Sequence, residues 1–211
     1  MSVESSPLFL LDVASGQAVQ AELLDGITEQ QLADWEDHWK PALDEVVQRL
    51  RAAGIERSHW PQSRHWDWRQ KVEHYGRSLA NPGFCVVSNE MTQGLMILDT
   101  LRSARLKSQV GKSMVYIEYL EVAPWNRRHL GGDEPRYRAV GSVLIRAAIE
   151  FSHQEGFKGR VGLHSLPQSN GWYANTCGMA DLGTDPDYQN LRYFEMTPEL
   201  AEAFIAKGHT P

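Results

Sequence analysis

The order of elements along this chain predicts an α+β, or mixed α/β, fold. Three observations carry the prediction: helical periodicity in the first third, a run of antiparallel-type strands in the middle, and one amphipathic crossover helix leading to a closing strand and helix. At 211 residues the chain reads as a single domain, 1–211, with enough material for a core that needs no staples.

Residues 8–24 alternate as two short strands about Ser15-Gly16. Thr28 and Gln31 then have capping-box spacing, so each side chain can bind the other's backbone N–H. Leu32, Trp35, Trp39, Leu43, Val46, Val47 and Leu50 follow at helical spacing to Gly54, and Pro41 inside the run predicts a kink or two helices in series. A further helix is expected over 66–80. After Asn81-Pro82-Gly83 the texture turns to strands at 84–88, 94–101 and 114–122. A glycine- and arginine-rich loop leads into a helix with Val140, Val143, Leu144, Ala147, Ala148 and Phe151 on one face. A strand at 160–165, a helical piece at 171–176 and strands at 179–183 and 190–196 come next. Thr197-Pro198-Glu199 supplies a cap and a first-turn proline for a last helix.

Composition narrows the function. The chain has 27 acidic and 21 basic residues, net −6, whereas a general nucleic-acid binder is normally basic. Cys85 and Cys177 are its only cysteines, which excludes a disulfide scaffold and a four-cysteine zinc site. His59, His65 and His74 fit no metal-ligand spacing, so no metal is expected. No apolar run has the length of a membrane span, and the first residues lack the basic start of a signal peptide. A cytoplasmic protein acting on something small or cationic is the expectation, with no nucleic-acid or membrane partner.

The segment with chemical content is Met114–Ser142. The run MVYIEYLEV is apolar on both faces, as a central strand is, and it feeds a Gly/Arg-rich loop and then a helix. A helix start offers unpaired N–H groups and a positive dipole end to a phosphate. Arg127, Arg128, Arg136 and Arg138 add charge where a pyrophosphate could sit.

These residues resemble the GNAT superfamily of N-acetyltransferases. The family's strand ending in a Leu-x-Val-x-Pro-like turn corresponds to Leu120-Glu121-Val122-Ala123-Pro124. Its Arg/Gln-x-x-Gly-x-Gly/Ala loop corresponds to Arg136-Tyr137-Arg138-Ala139-Val140-Gly141. A second segment, Trp172-Tyr173-Ala174-Asn175-Thr176-Cys177-Gly178-Met179, is similar to the family's Phe-Tyr-x-x-x-Gly-Phe helix. The resemblance implies a GNAT-like acyl-CoA N-acyltransferase fold, with a central mostly antiparallel sheet, a splayed middle strand and flanking helices. It implies acetyl-CoA as co-substrate, held by the backbone of Leu120 and Val122 and by Ala139, Val140, Gly141 and Ser142. A small-molecule or peptide amine is the implied acceptor, and a homodimer stays open.

Three departures from the family pattern matter. Ala139 stands where a glycine is usual, Tyr173 lies one residue further from its glycine, and His129–Pro135 lengthens the loop. The arginine pair that grips the phosphates is therefore either Arg127/Arg128 or Arg136/Arg138.

For the chemistry, Glu118 within an apolar run is a candidate general base, because burial raises a carboxylate's pKa toward a useful range. Solvation or pairing with an arginine is its alternative. Glu121 falls on the opposite face by strict alternation unless a bulge resets the parity. The resemblance implies that Tyr173 protonates the departing thiolate, with Cys177 as a chemical substitute. His164 could relay a proton or serve as a structural histidine. Trp60, Trp66 and Trp68 line an acceptor pocket or fill the core. A non-catalytic acyl-CoA-binding module is the alternative to the enzyme.

Overall fold

The computed structural model describes residues 4–76, 78–127 and 134–208. Strands β1 (Glu4–Asp12) and β2 (Ala18–Asp25) form a hairpin. Its turn is closed by the Asp12 carboxylate, which accepts from the Ser15 N–H and hydroxyl at 2.8 Å, and by Gly16 at φ +67°. Thr28 caps α1 (Glu29–Asp34) with the expected capping box. The chain then makes one wide π turn, Trp35–Trp39, and continues as α2 (Lys40–Ala52). Pro41 sits in the first turn of α2, so the extra residue of the π turn absorbs the hydrogen bond that proline cannot make. Helix α3 (Trp68–Tyr75) is shorter than the 66–80 expected, because Asp67 caps it and Gly76 ends it.

Strands β3 (Gly83–Ser88), β4 (Met91–Asp99) and β5 (Val115–Val122) follow. After them come β6 (Tyr137–Arg138), α4 (Val140–Gln154), β7 (Val161–Ser165), β8 (Ala180–Asp185), β9 (Leu191–Met196) and α5 (Pro198–Ala206). One nine-stranded sheet runs in the order β6-β1-β2-β3-β4-β5-β7-β9-β8. Every adjacent pair is antiparallel except β5 with β7. The fold is thus mixed α/β with a mostly antiparallel sheet.

Helices α4 and α5 cover one face through Val140, Leu144, Ile145, Ala148 and Ala201. Helix α4 lies so close to β4 that a Cβ on Gly94 would sit 2.8 Å from Val140 and 3.0 Å from Leu144. The other face is covered by Leu32, Trp35, Trp39 and Trp68, packed on Cys85, Leu95 and Ile97. Trp39 also donates its indole N–H to the Thr92 carbonyl at 3.0 Å. The segment between β4 and β5 has little regular structure. It is pinned by buried Glu195, which accepts from the Leu106 N–H, the Gln109 amide and the Tyr193 hydroxyl at 2.8–2.9 Å. A buried carboxylate needs such partners.

Candidate active site

The site begins with a defect in β5. Tyr119 pairs with Ile97 and Ile117 with Leu98, which leaves Glu118 as an extra residue opposite no partner. A bulge of this kind turns two consecutive side chains to one face. Val115, Ile117, Leu120 and Val122 therefore face α4, while Tyr119 lies against the helices of the opposite face. Glu118 and Glu121 end on that same opposite face, and strict alternation would have separated them.

Past the bulge, β5 loses its neighbour. Its pairing with β7 covers only Val115–Ile117 against Val161–Leu163, and the two strands then diverge. The Ala123 N–H bonds Gln93 on β4 at 2.9 Å, so the Val122 carbonyl across the same planar peptide points the other way. A strand residue turns its N–H and C=O to one edge, so the N–H groups of Val122 and Leu120 face the splay. A cleft of about 1,210 Å³ runs through this gap. Leu120, Val122 and Leu166 line it at the sheet, the start of α4 lines it on one face, and Ser63 and Trp66 lie at its far side.

The cleft meets the first residues of α4. Ala139 is the residue before the helix and is held at φ +73°, a left-handed conformation that costs a side chain about 1–2 kcal/mol. This turn aims the helix start into the cleft, where Val140, Gly141 and Ser142 line the wall and their N–H groups have no partner within the helix. Gly141 is also closely backed: a Cβ there would lie 3.2 Å from the Trp172 ring.

The four candidate arginines separate. Arg138 lines the cleft beside these N–H groups and makes a 3.6 Å contact to Glu134. Arg136 lies over the Tyr137 ring at 5.0 Å and is absent from the cleft wall. Arg127 borders the cleft, but each guanidinium nitrogen is already engaged. Nε donates to the Val122 carbonyl at 2.8 Å, one terminal nitrogen to Ser63 at 2.9 Å, and the other to Glu121 at 2.5 Å. Arg128 and most of the inserted loop, residues 128–133, lie outside the described residues. Arg146, which sequence reasoning did not single out, joins the wall one turn and a half into α4 and pairs with Glu150 at 2.8 Å.

Each carboxylate of β5 has a cation. Glu118 pairs with Arg102 at 2.9 Å and receives a long 3.4 Å contact from the Tyr188 hydroxyl. Glu121 is buried, paired with Arg127, and accepts the Trp68 indole N–H at 2.5 Å. Of the two, Glu121 borders the cleft and Glu118 does not. Trp68 is thus core with a polar task. Trp60 is buried with its N–H on the Ile55 carbonyl at 2.9 Å, and Trp66 alone of the three lines the cleft.

Tyr173 sits in a π turn, Trp172–Thr176, and borders the cleft; burial pushes its phenol well above the usual range, which keeps it protonated. Cys177 is buried in the core, and burial likewise raises its thiol. His164 stacks on Tyr188 at 3.9 Å between the Tyr116 hydroxyl, 2.6 Å from Nδ1, and Asp185, 2.9 Å from Nε2. Burial lowers its pKa against the pull of Asp185, and both ring nitrogens have a partner.

A strap that the sequence did not announce crosses the splay. Gln62 and Gln168 each accept the other's backbone N–H on the side-chain Oε1 at 3.1 Å, and Gln168 Nε2 donates to the Trp60 carbonyl at 2.8 Å. Ser63 ties the same segment to Arg127 on the β5 side. These partners lie 64 and 106 residues apart, and no local pattern marks them.

No family model and no curated protein matches the sequence. Among solved structures, the chain is similar to the GNAT domain of S. lividans PAT, with a TM-score of 0.55 at 13% identity over 91% of this chain and 96% of that one. It is similar to Mycobacterium smegmatis RimJ, solved in complex with CoA-disulfide, at 0.51 and 13% over 99% and 98%. FeeM, an N-acyl amino acid synthase from uncultured soil microbes, superposes at 0.51 and 9% identity over 89% and 97%. This is the GNAT fold. The bulged, splayed strand pair and the helix start beyond it are the features of this GNAT-fold chain on which a functional reading rests.

Proposed function

We propose that the protein is an acetyl-CoA-dependent N-acetyltransferase that transfers the acetyl group directly to a primary amine. One observation supports this above the rest: the splay of β5 from β7 opens a cleft that joins unpaired strand N–H groups to the N-terminus of α4. The pyrophosphate is assigned to the N–H groups of Val140, Gly141 and Ser142 with Arg138 beside them. The pantetheine arm then runs along the open edge of β5, bonded by the backbone of Leu120 and Val122. The Val122 N–H polarises the thioester carbonyl as charge builds on its oxygen.

The acceptor approaches from the sheet face opposite α4, where Glu118 and Tyr119 lie. Glu118 is the assigned base, because among the described residues its second oxygen has only the long Tyr188 contact, whereas both oxygens of Glu121 are closely bonded. Once the amine attacks and the C–S bond breaks, protonated Tyr173 supplies the proton that the thiolate takes up.

Thiol release from acetyl-CoA across a panel of primary amines tests the reading, alongside calorimetric titration with CoA. Amine-dependent thiol release is the expected result. CoA binding with no turnover on any amine would reduce the protein to an acyl-CoA-binding module, and absence of CoA binding would overturn the reading.

A further inference from the structure

The face of the sheet that would receive the acceptor already holds a primary amine. Lys71, on α3, lays its ammonium 3.4 Å from the centroid of the Tyr119 ring and 4.9 Å from that of Trp66. Tyr119 follows the bulge residue Glu118 and precedes Leu120, whose backbone faces the splay, and Trp66 is itself a wall of the cleft. A cation held against two aromatic faces is attracted by their quadrupoles, so the amine is fixed there rather than left to wander.

Three carboxylates act on it, Glu118 and Glu121 on β5 and Asp67 before α3, with Tyr75 of α3 edge-on to the same Tyr119 ring at 5.8 Å. Burial outweighs these carboxylates and lowers the ammonium's pKa to about 8, which leaves part of it neutral near neutral pH. Lysine's other five occurrences, at 40, 107, 112, 158 and 207, are all exposed.

We propose that Lys71 is a self-acetylation site of this protein, taking the acetyl group from thioester bound in the adjoining cleft. The inference rests on the acetyl-CoA reading above. In the step, the ammonium releases one proton to solvent through the neighbouring carboxylates, and neutral Nζ attacks the thioester carbonyl carbon. The C–N bond forms, the C–S bond breaks, and the departing thiolate takes the second nitrogen proton to leave as CoA thiol. The product is an uncharged acetamide that no longer holds a cation against Tyr119 and stays on the acceptor face.

The full chain incubated with acetyl-CoA carrying a labelled acetyl group, then digested and mapped by mass spectrometry, tests this. Label is expected at Lys71 roughly tenfold faster than at any exposed lysine, because the amine is held against Trp66, a wall of the donor cleft. Excess CoA should suppress that label, and Lys71→Arg should bind CoA as the wild type does and take up no label at this position. Label confined to the exposed lysines, or equal at all six and indifferent to CoA, would overturn the proposal. A calorimetric CoA titration separates the two layers. Binding without label at Lys71 sinks the self-acetylation alone; no binding and no label sinks the acetyl-CoA reading with it.

Discussion

Arg127 closes a 2.5 Å ion pair on Glu121 where the two side chains are only 11% and 4% exposed. The same carboxylate takes the Trp68 indole N–H, and the same guanidinium reaches Val122 and Ser63. That arginine fastens the splayed strand to the strap above it.

Removing that arginine should show first in stability. Arg127→Ala leaves the Glu121 charge buried without its partner, a situation that typically costs about 3–5 kcal/mol. Urea denaturation should report a loss of that order, and the double variant Arg127→Ala with Glu121→Gln should recover part of it. A loss below 1 kcal/mol, with the whole effect falling on CoA affinity, would return Arg127 to the phosphate site.

Arg138 should dominate the charged contribution to CoA binding. Its guanidinium stands beside the start of α4, whereas Arg136 lies on Tyr137 away from the cleft. Calorimetry on Arg138→Ala should show a loss of about 1.5–3 kcal/mol, the worth of a hydrogen bond to a charged group. Arg136→Ala should bind CoA nearly as the wild type does. A reversed order would move the pyrophosphate toward Tyr137.

Tyr173→Phe keeps the ring packing and deletes the proton. Acetyl transfer should slow by a factor on the order of 10²–10⁴ with CoA affinity unchanged. Because burial holds the phenol protonated, no loss of activity from its ionisation is expected around neutral pH. Wild-type turnover in the variant would pass the acid's part to solvent.

The half-buried ammonium of Lys71 makes a signed prediction about pH. Its folded-state pKa of about 8 lies below the ordinary 10.5, so between those values the unfolded chain holds a proton that the folded chain has released. Stability contributed at this position rises with pH across the window, and below pH 8 the full cost of burying the charge remains. Lys71→Met should therefore compare best with the wild type below pH 8 and lose ground toward pH 10.5 in denaturant titrations. A difference that does not move with pH would mean the ammonium stays solvated.

Much of the fold was legible because its signals are local. The apolar stripe of α4 from Val140 to Ala148, the Thr28–Gln31 capping box and the Thr197-Pro198 start of α5 are each read within a few residues. The helix expected at 66–80 was too long, since nothing in periodicity outweighs the stop at Gly76.

What the sequence determined by itself is the kind and order of the elements and the presence of a strand–loop–helix with arginines near it. Hydrophobic period, caps and turn residues act over one or two turns of chain, so they survive without the rest of the molecule. Tertiary structure alone decided which side chains meet. A single extra residue at Glu118 put both carboxylates on one face, and the choice of Arg102 for Glu118 and Arg127 for Glu121 followed from what that face packs against. An ion pair's partner is set by distance in space, and the charge of a residue says nothing about who will stand beside it. Thus the strap joining Gln62 to Gln168, across 106 residues, and the amine of Lys71 on Tyr119 exist only once the sheet has brought its two faces into place.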